Sequence, residues 1–208
     1  MTIYIPEHFR VDDPGRLADF IDAHAFGTLV SGSAAGLHVS HVPFVTERVE
    51  GGGLRLLGHV ARANAQWREL EGANHVLAVF QGPHAYISPG WYQHHPSVPT
   101  WNYAAVHASG RARLMDEAEL HELLMRLSAQ YESPREKPWK MSELPAPFVD
   151  SMLKMIVGFE LSVEKLEGKF KLSQNRPAEI PRVIEALERS GEAELAALMR
   201  STPPTPKG

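Results

Sequence analysis

At 208 residues the chain is long for one average domain and short for two, and its 43% hydrophobic and 22% charged residues are ordinary globular values that exclude a disordered or fibrous class. It contains no cysteine, which excludes disulfides, thiolate metal sites, iron–sulfur clusters and thiol nucleophiles. A formal net charge of −4 gives no general attraction to phosphate backbones, so nucleic-acid binding would need a local basic face.

The first residues lack a basic segment followed by an apolar one, and no window holds about 18 uninterrupted apolar residues. A cytoplasmic protein with no membrane span is expected. Asp12-Asp13-Pro14 opens a helix over about 13–24, with Leu17, Phe20 and Ile21 at helical spacing. The period then changes. Residues 27–31, 37–45 and 54–62 are aliphatic and β-branched runs separated by glycines and the turn Glu50-Gly51-Gly52-Gly53. Asn64 is expected to cap a short helix through Gly72, and strands resume at 75–88 and 100–114. Five or six antiparallel strands result. A helix from Asp116 to Tyr131 carries Leu120, Leu123, Leu124 and Leu127 on one stripe, and a second covers 148–156. Residues 157–172 read as one more strand or hairpin. Helices at 178–189 and 192–199 follow, then a loose tail over 202–208. The pattern predicts a single, mainly β domain over 1–208 with flanking helices, roughly at 116–156 and 177–200.

Val76 to Phe80 is apolar on both faces, and the strand carrying Val39, Val42 and Phe44 has no clean polar face either. Antiparallel sheets normally keep one face wet. Two covered faces point to helices packed outside the sheet, to a homodimer, or to both.

Chemistry concentrates in the middle of the chain, where His59, His75, His84, His94, His95 and His107 fall between residues 58 and 110. Arg62, beside the helix start at Asn64, would make an anion seat from a guanidinium and free N–H groups. His59 and Arg62 point to opposite faces of a regular strand, so they serve one ligand only where the strand ends or bulges at Ala61. Residues 80–92 place Gln81, His84, Tyr86 and Ser88 around a Gly82-Pro83 turn or bulge suited to a flat ligand. In the next strand, alternation sets Trp101, Tyr103 and His107 on one face and Thr100 and Asn102 on the other. The polar run from Lys169 to Arg176, with Lys171, Gln174 and Arg176, could hold an anionic tail; as a plain reading it is a solvated strand end. Phosphate loops, zinc-protease and serine-hydrolase motifs are absent. His38-x-x-His41 and His94-His95 read as structural or surface histidines. The last helix is acidic, which is poor for a DNA groove.

These segments resemble the PaiB family of FMN-binding negative transcriptional regulators. The carriers are Tyr4-Ile5-Pro6 with His8-Phe9, Ser40-His41-Val42-Pro43, the run from Gly58 to Asn64, that from Phe80 to Pro89, Thr100-Trp101-Asn102-Tyr103, and Lys171 to Arg176. Ala65 departs from the family, which typically has proline there, and Gly90 stands where serine is frequent. The resemblance implies a split β-barrel of antiparallel Greek-key strands, a homodimer, and FMN held by residues among His59, Arg62, Asn64, Gln81, His84, Trp101, Tyr103, Lys171, Gln174 and Arg176. A related branch, the haem-dependent piperazate synthases, implies an alternative: haem b with His59 as axial ligand, serving N–N bond formation in place of flavin-dependent redox chemistry. Direct DNA binding is the weakest reading on charge.

Overall fold

The computed structural model describes residues 3–33, 36–71 and 75–202. Gly72, the expected end of the short helix, and the tail beyond 202 lie outside the described residues. Eight strands form a mainly antiparallel sheet with flanking helices. They are β1 (Arg10–Val11), β2 (Phe26–Ser33), β3 (Gly36–Pro43), β4 (Val45–Val49), β5 (Gly53–Ala61), β6 (Val76–Ile87), β7 (Thr100–Leu114) and β8 (Ile156–Lys171). The ladder runs β3-β2-β6-β7-β8-β5-β4 and is not closed, with β1 added to β8. The helices are α1 (Pro14–Ala23), α2 (Trp67–Leu70), α3 (Glu117–Glu132), α4 (Ala146–Leu153), α5 (Ile180–Arg189) and α6 (Ala193–Ser201).

The strand count exceeds the expected five or six for two reasons. β1 has two residues, too few to show a period. β4 is separated from β3 by Phe44 and carries Thr46, Glu47 and Arg48, polar residues that suit the edge of the ladder and hide the alternation. Residues 156–171 form one strand, not a hairpin.

Cα packing divides the chain into two compact units, a larger one of residues 14–80 and 107–166 and a smaller one of residues 1–13, 81–106 and 167–208. In the larger unit Phe44 packs edge-on against Phe80 and Phe159, with ring centroids 5.2 and 6.0 Å away. Glycines make room for these rings. A Cβ on Gly27 would lie 2.7 Å from Phe80 Cε1, and one on Gly58 would lie 2.7 Å from Phe159 Cζ. The opposite face of β4 and β5 carries Val45 and Leu57, which pack with Leu120 and Leu123 of α3 and Leu153 of α4. α3 and α4 therefore cover one face of β4 and β5, not the strands at 37–45 and 76–80 on which the two-sided apolar pattern was read. On β2 and β3, in contrast, Phe26, Leu37 and Val39 stay exposed. α3 begins with a capping box in which Asp116 accepts from the Glu119 N–H and Glu119 from the Asp116 N–H.

In the smaller unit β1 pairs with the end of β8, Arg10 opposite Lys169. α5 and α6 bury Val183, Leu187, Leu195 and Met199. A 3-10 turn, Pro177–Glu179, leads into α5. Among the described residues no helix is long and apolar enough to cross a membrane.

Candidate functional site

His59, Arg62 and Asn64 belong to the larger unit, and the other expected residues to the smaller. β5 ends at Ala61, so Arg62 lies just beyond the strand that carries His59. His59 shares its strand face with Leu57 and is half-buried. Burial disfavours its charged form and lowers its pKa, while its Nδ1 is buried without a hydrogen-bond partner. Arg62 is committed locally. Its Nε donates to the Lys154 carbonyl at 2.7 Å and its Nη2 to that of Ile156 at 3.0 Å, closing the C-terminal end of α4. Asn64 is not a helix cap, because α2 starts three residues later, at Trp67. Its Oδ1 accepts from the Gln66 N–H at 3.0 Å in an Asx turn, and its Nδ2 donates to Ser40 Oγ at 2.8 Å. The expected anion seat of free N–H groups at a helix start is therefore not formed at Asn64.

In the smaller unit, a parity switch in β6 brings side chains together. Burial alternates on even positions through Gly82 and on odd positions from Ala85, the signature of an extra residue at Gly82-Pro83. Gln81, His84 and Tyr86 consequently all face outward. The Gln81 amide lies 3.3 Å from His84 Nδ1, and the His84 and Tyr86 rings lie 6.3 and 6.2 Å from Trp101. Trp101 keeps 53% and Tyr86 46% of its surface exposed. The result is an open aromatic platform edged by an amide and an imidazole.

Tyr103 sits elsewhere. With Tyr4 it flanks the ammonium of Lys169, the two ring centroids lying 5.4 and 5.3 Å from Nζ.

Thr100 and Asn102, on the other face of β7 from Trp101, line a cavity of about 210 Å³ together with Phe9, Tyr92, Lys171, Ser173 and Arg176. Lys171 donates to Thr100 Oγ1 at 2.6 Å and to the Trp101 carbonyl at 2.5 Å. Burial, and then the neighbouring charge of Lys169, lower its pKa. Arg176 lies over the Tyr92 ring at 4.8 Å and donates to Ser97 Oγ. Gln174 turns inward: its Oε1 accepts from the Leu172 N–H at 2.7 Å and its Nε2 donates to the Phe170 carbonyl at 2.5 Å. These bonds brace a turn in which Ser173 adopts a left-handed φ of 68°.

Sequence reasoning named Lys169 and Asn102 only as members of their runs, and missed Glu179. Glu179 is buried and accepts from the N–H groups of Gln93 and His94 at 2.8 and 3.1 Å, fixing the loop that carries Tyr92 and Ser97. These bonds hold its pKa down at about 2. Its pairing with His94 Nδ1 at 2.7 Å, like that of His38 with Glu69 at 2.7 Å, joins partners far apart in sequence. Among the described residues, no three His, Asp or Glu side chains group as metal ligands.

A family model described as "Putative FMN-binding domain" matches residues 3–165. The protease synthase and sporulation protein PAI 2 of Bacillus subtilis is 38% identical over 201 residues, covering 95% of this chain and 96% of its own. The chain belongs to the PaiB family. The PaiB-family fold recurs at low identity. The flavocytochrome Anf3 of Azotobacter vinelandii superposes with a TM-score of 0.56 at 18% identity, over 80% of this chain and 72% of that one. A conserved hypothetical protein of Mycobacterium tuberculosis gives 0.54 at 16%, over 84% and 94%. These likenesses establish the split-barrel architecture that the sequence resemblance implied.

Proposed function

We propose that the chain is an FMN-binding redox module of the PaiB type and that the flavin ring rests on the platform of Trp101, Tyr86, His84 and Gln81. The observation that carries this is the exposure of two large rings beside hydrogen-bonding side chains, in a chain that belongs to an FMN-binding family. Solvent-exposed aromatic clusters of this kind mark ligand or partner sites. Bound there, the flavin would supply one- and two-electron redox chemistry, and the protein would stack the ring and tune its edge. Lys171 and Arg176 line a cavity whose volume of about 210 Å³ is small for a whole flavin, which suits clefts of roughly 300–1,000 Å³.

The absorption spectrum of the freshly purified protein tests the reading. Paired flavin bands are expected, with Trp101→Ala weakening flavin retention about tenfold, the effect of one stacked ring pair. A colourless protein that takes up no added FMN would refute it. A Soret band lost in His59→Ala would instead favour haem, for which His59 supplies a neutral imidazole but no partner at Nδ1 to orient it.

A second copy of the chain fits the exposed β2–β3 face. Phe26, Val30, Leu37 and Val39 share that face by register, next to Leu77 and Val79 of β6. Sedimentation equilibrium should report a dimer, and Val39→Glu a monomer. The regulatory role suggested by the sporulation relative is tested by salt-dependent retention on DNA upstream of the chain's own gene.

A further inference from the structure

Three cations of the smaller unit, Lys169, Lys171 and Arg176, have no carboxylate within ion-pair distance among the described residues. Lys169 is shielded by two tyrosine rings. Lys171 and Arg176 instead border the cavity of about 210 Å³ beside Thr100 and Asn102. Charges withdrawn from water normally find a counter-charge, so this lining is selective for an anion. Lys171 has used two of its three N–H donors, on Thr100 and the Trp101 carbonyl.

Asn102 adds a second, independent requirement. It is fully buried, and its Nδ2 donates to Ser173 Oγ at 2.9 Å and toward Met199 Sδ at 3.6 Å. Its Oδ1 is buried with no partner. A buried acceptor left open is costly, so a side chain lining a cavity in this state asks for a donor from whatever fills it. That donor should be neutral, because an ammonium would add a positive charge beside Lys171 and Arg176.

We infer that the cavity binds a small hydroxy acid, its carboxylate toward Lys171 and Arg176 and its hydroxyl donating to Asn102 Oδ1. The lining residues come from the turn at Phe9, the loop before β7, β7 itself and the end of β8 with the Ser173 turn, and they share none of the flavin platform's side chains. The site thus stands apart from the flavin reading and would serve a substrate or an effector.

Calorimetric titration of the full-length protein with glycolate, acetate and inorganic phosphate tests this, with flavin content followed by absorbance. Glycolate and acetate differ by one hydroxyl. Saturable glycolate binding is expected, about tenfold tighter than acetate, the worth of one hydrogen bond to an otherwise open acceptor. Asn102→Leu should reduce that ratio to about one. Lys171→Met should weaken glycolate about tenfold or more. The wild-type comparison stands even where the Asn102 variant folds poorly. Glycolate binding to protein that carries no flavin would uphold the inference while the flavin reading failed. Equal affinity for glycolate and acetate, absence of saturable binding, or phosphate that binds tighter than glycolate and displaces FMN but not riboflavin would each overturn it.

Discussion

Gly58 opens the motif that precedes His59, and its neighbour explains it more directly than any ligand does. A Cβ there would sit 2.7 Å from Phe159 Cζ and 3.2 Å from Cε1, where ordinary contact begins at 3.4 Å. In Gly58→Ala the ring must retreat by roughly 0.7 Å, yet Phe159 is fully buried with Phe44 at its side. Overpacking of that size costs about 1–3 kcal/mol, partly offset by the roughly 0.5–1 kcal/mol gained when alanine replaces glycine in a strand. A net loss of about 1–2 kcal/mol follows, or roughly 2–8 °C in Tm for a chain of this length. Phe159→Leu alone should cost a similar amount through the space it leaves. In the double variant the new methyl group finds that space. Urea unfolding of the four proteins should therefore show the double variant more stable than the sum of the singles by about 1 kcal/mol. Costs that add to within about 0.5 kcal/mol would refute the packing account of Gly58.

Gly110→Ala should be far worse, because its Cβ would fall 1.9 Å from the Ser162 carbonyl oxygen, a backbone atom that cannot swing aside. We expect a loss of about 3 kcal/mol or more in urea unfolding, against little change for Gly53→Ala, whose nearest neighbour is an ordinary 3.5 Å away. Glu179 holds its charge down to about pH 2, against 4.5 when unperturbed. Its depressed value means that its contribution is fully present above pH 4.5 and fades as the pH falls toward 2. The urea midpoints of wild type and Glu179→Gln should accordingly differ more at pH 5 than at pH 3, and an equal gap at both would contradict the assignment. Gln174→Ala leaves a buried N–H and a buried carbonyl of β8 open and should cost roughly 2 kcal/mol in the same assay. A loss of less than about 0.5 kcal/mol would contradict that bracing role.

Much of the fold was legible because periodicity carries it. The α3 stripe, the long β6 and β7 strands and the two terminal helices all follow from 2.0 and 3.6 spacings. What failed were features that one chemical group can satisfy in two ways. At Asn64, a side-chain oxygen that accepts an N–H two residues ahead makes an Asx turn or a helix cap with equal ease. The sequence pattern is the same in both cases, and what decides is the conformation of the residues after it. β4 escaped because an edge strand with Glu47 and Arg48 in its middle shows charge where alternation was sought.

The site divides along the same line. Alternation in β7 correctly separated Trp101 from Asn102, and that separation is what makes a ring platform and a cavity two places and not one. The run from Lys171 to Arg176 looked like one polar cluster. Folded, it splits by direction: Lys171 and Arg176 border the cavity, while Gln174 spends its amide on the backbone and so holds Ser173 in the left-handed turn that presents its hydroxyl to Asn102. No linear pattern reports which way each side chain turns at a strand's end, because alternation stops where the ladder stops. The missing partner of Asn102 Oδ1 is less visible still, since burial of that atom depends on segments far apart in sequence. A buried acceptor left open in a cavity lined by two cations without a carboxylate partner is therefore a property of the folded chain alone, and the inferred hydroxy-acid site rests on it.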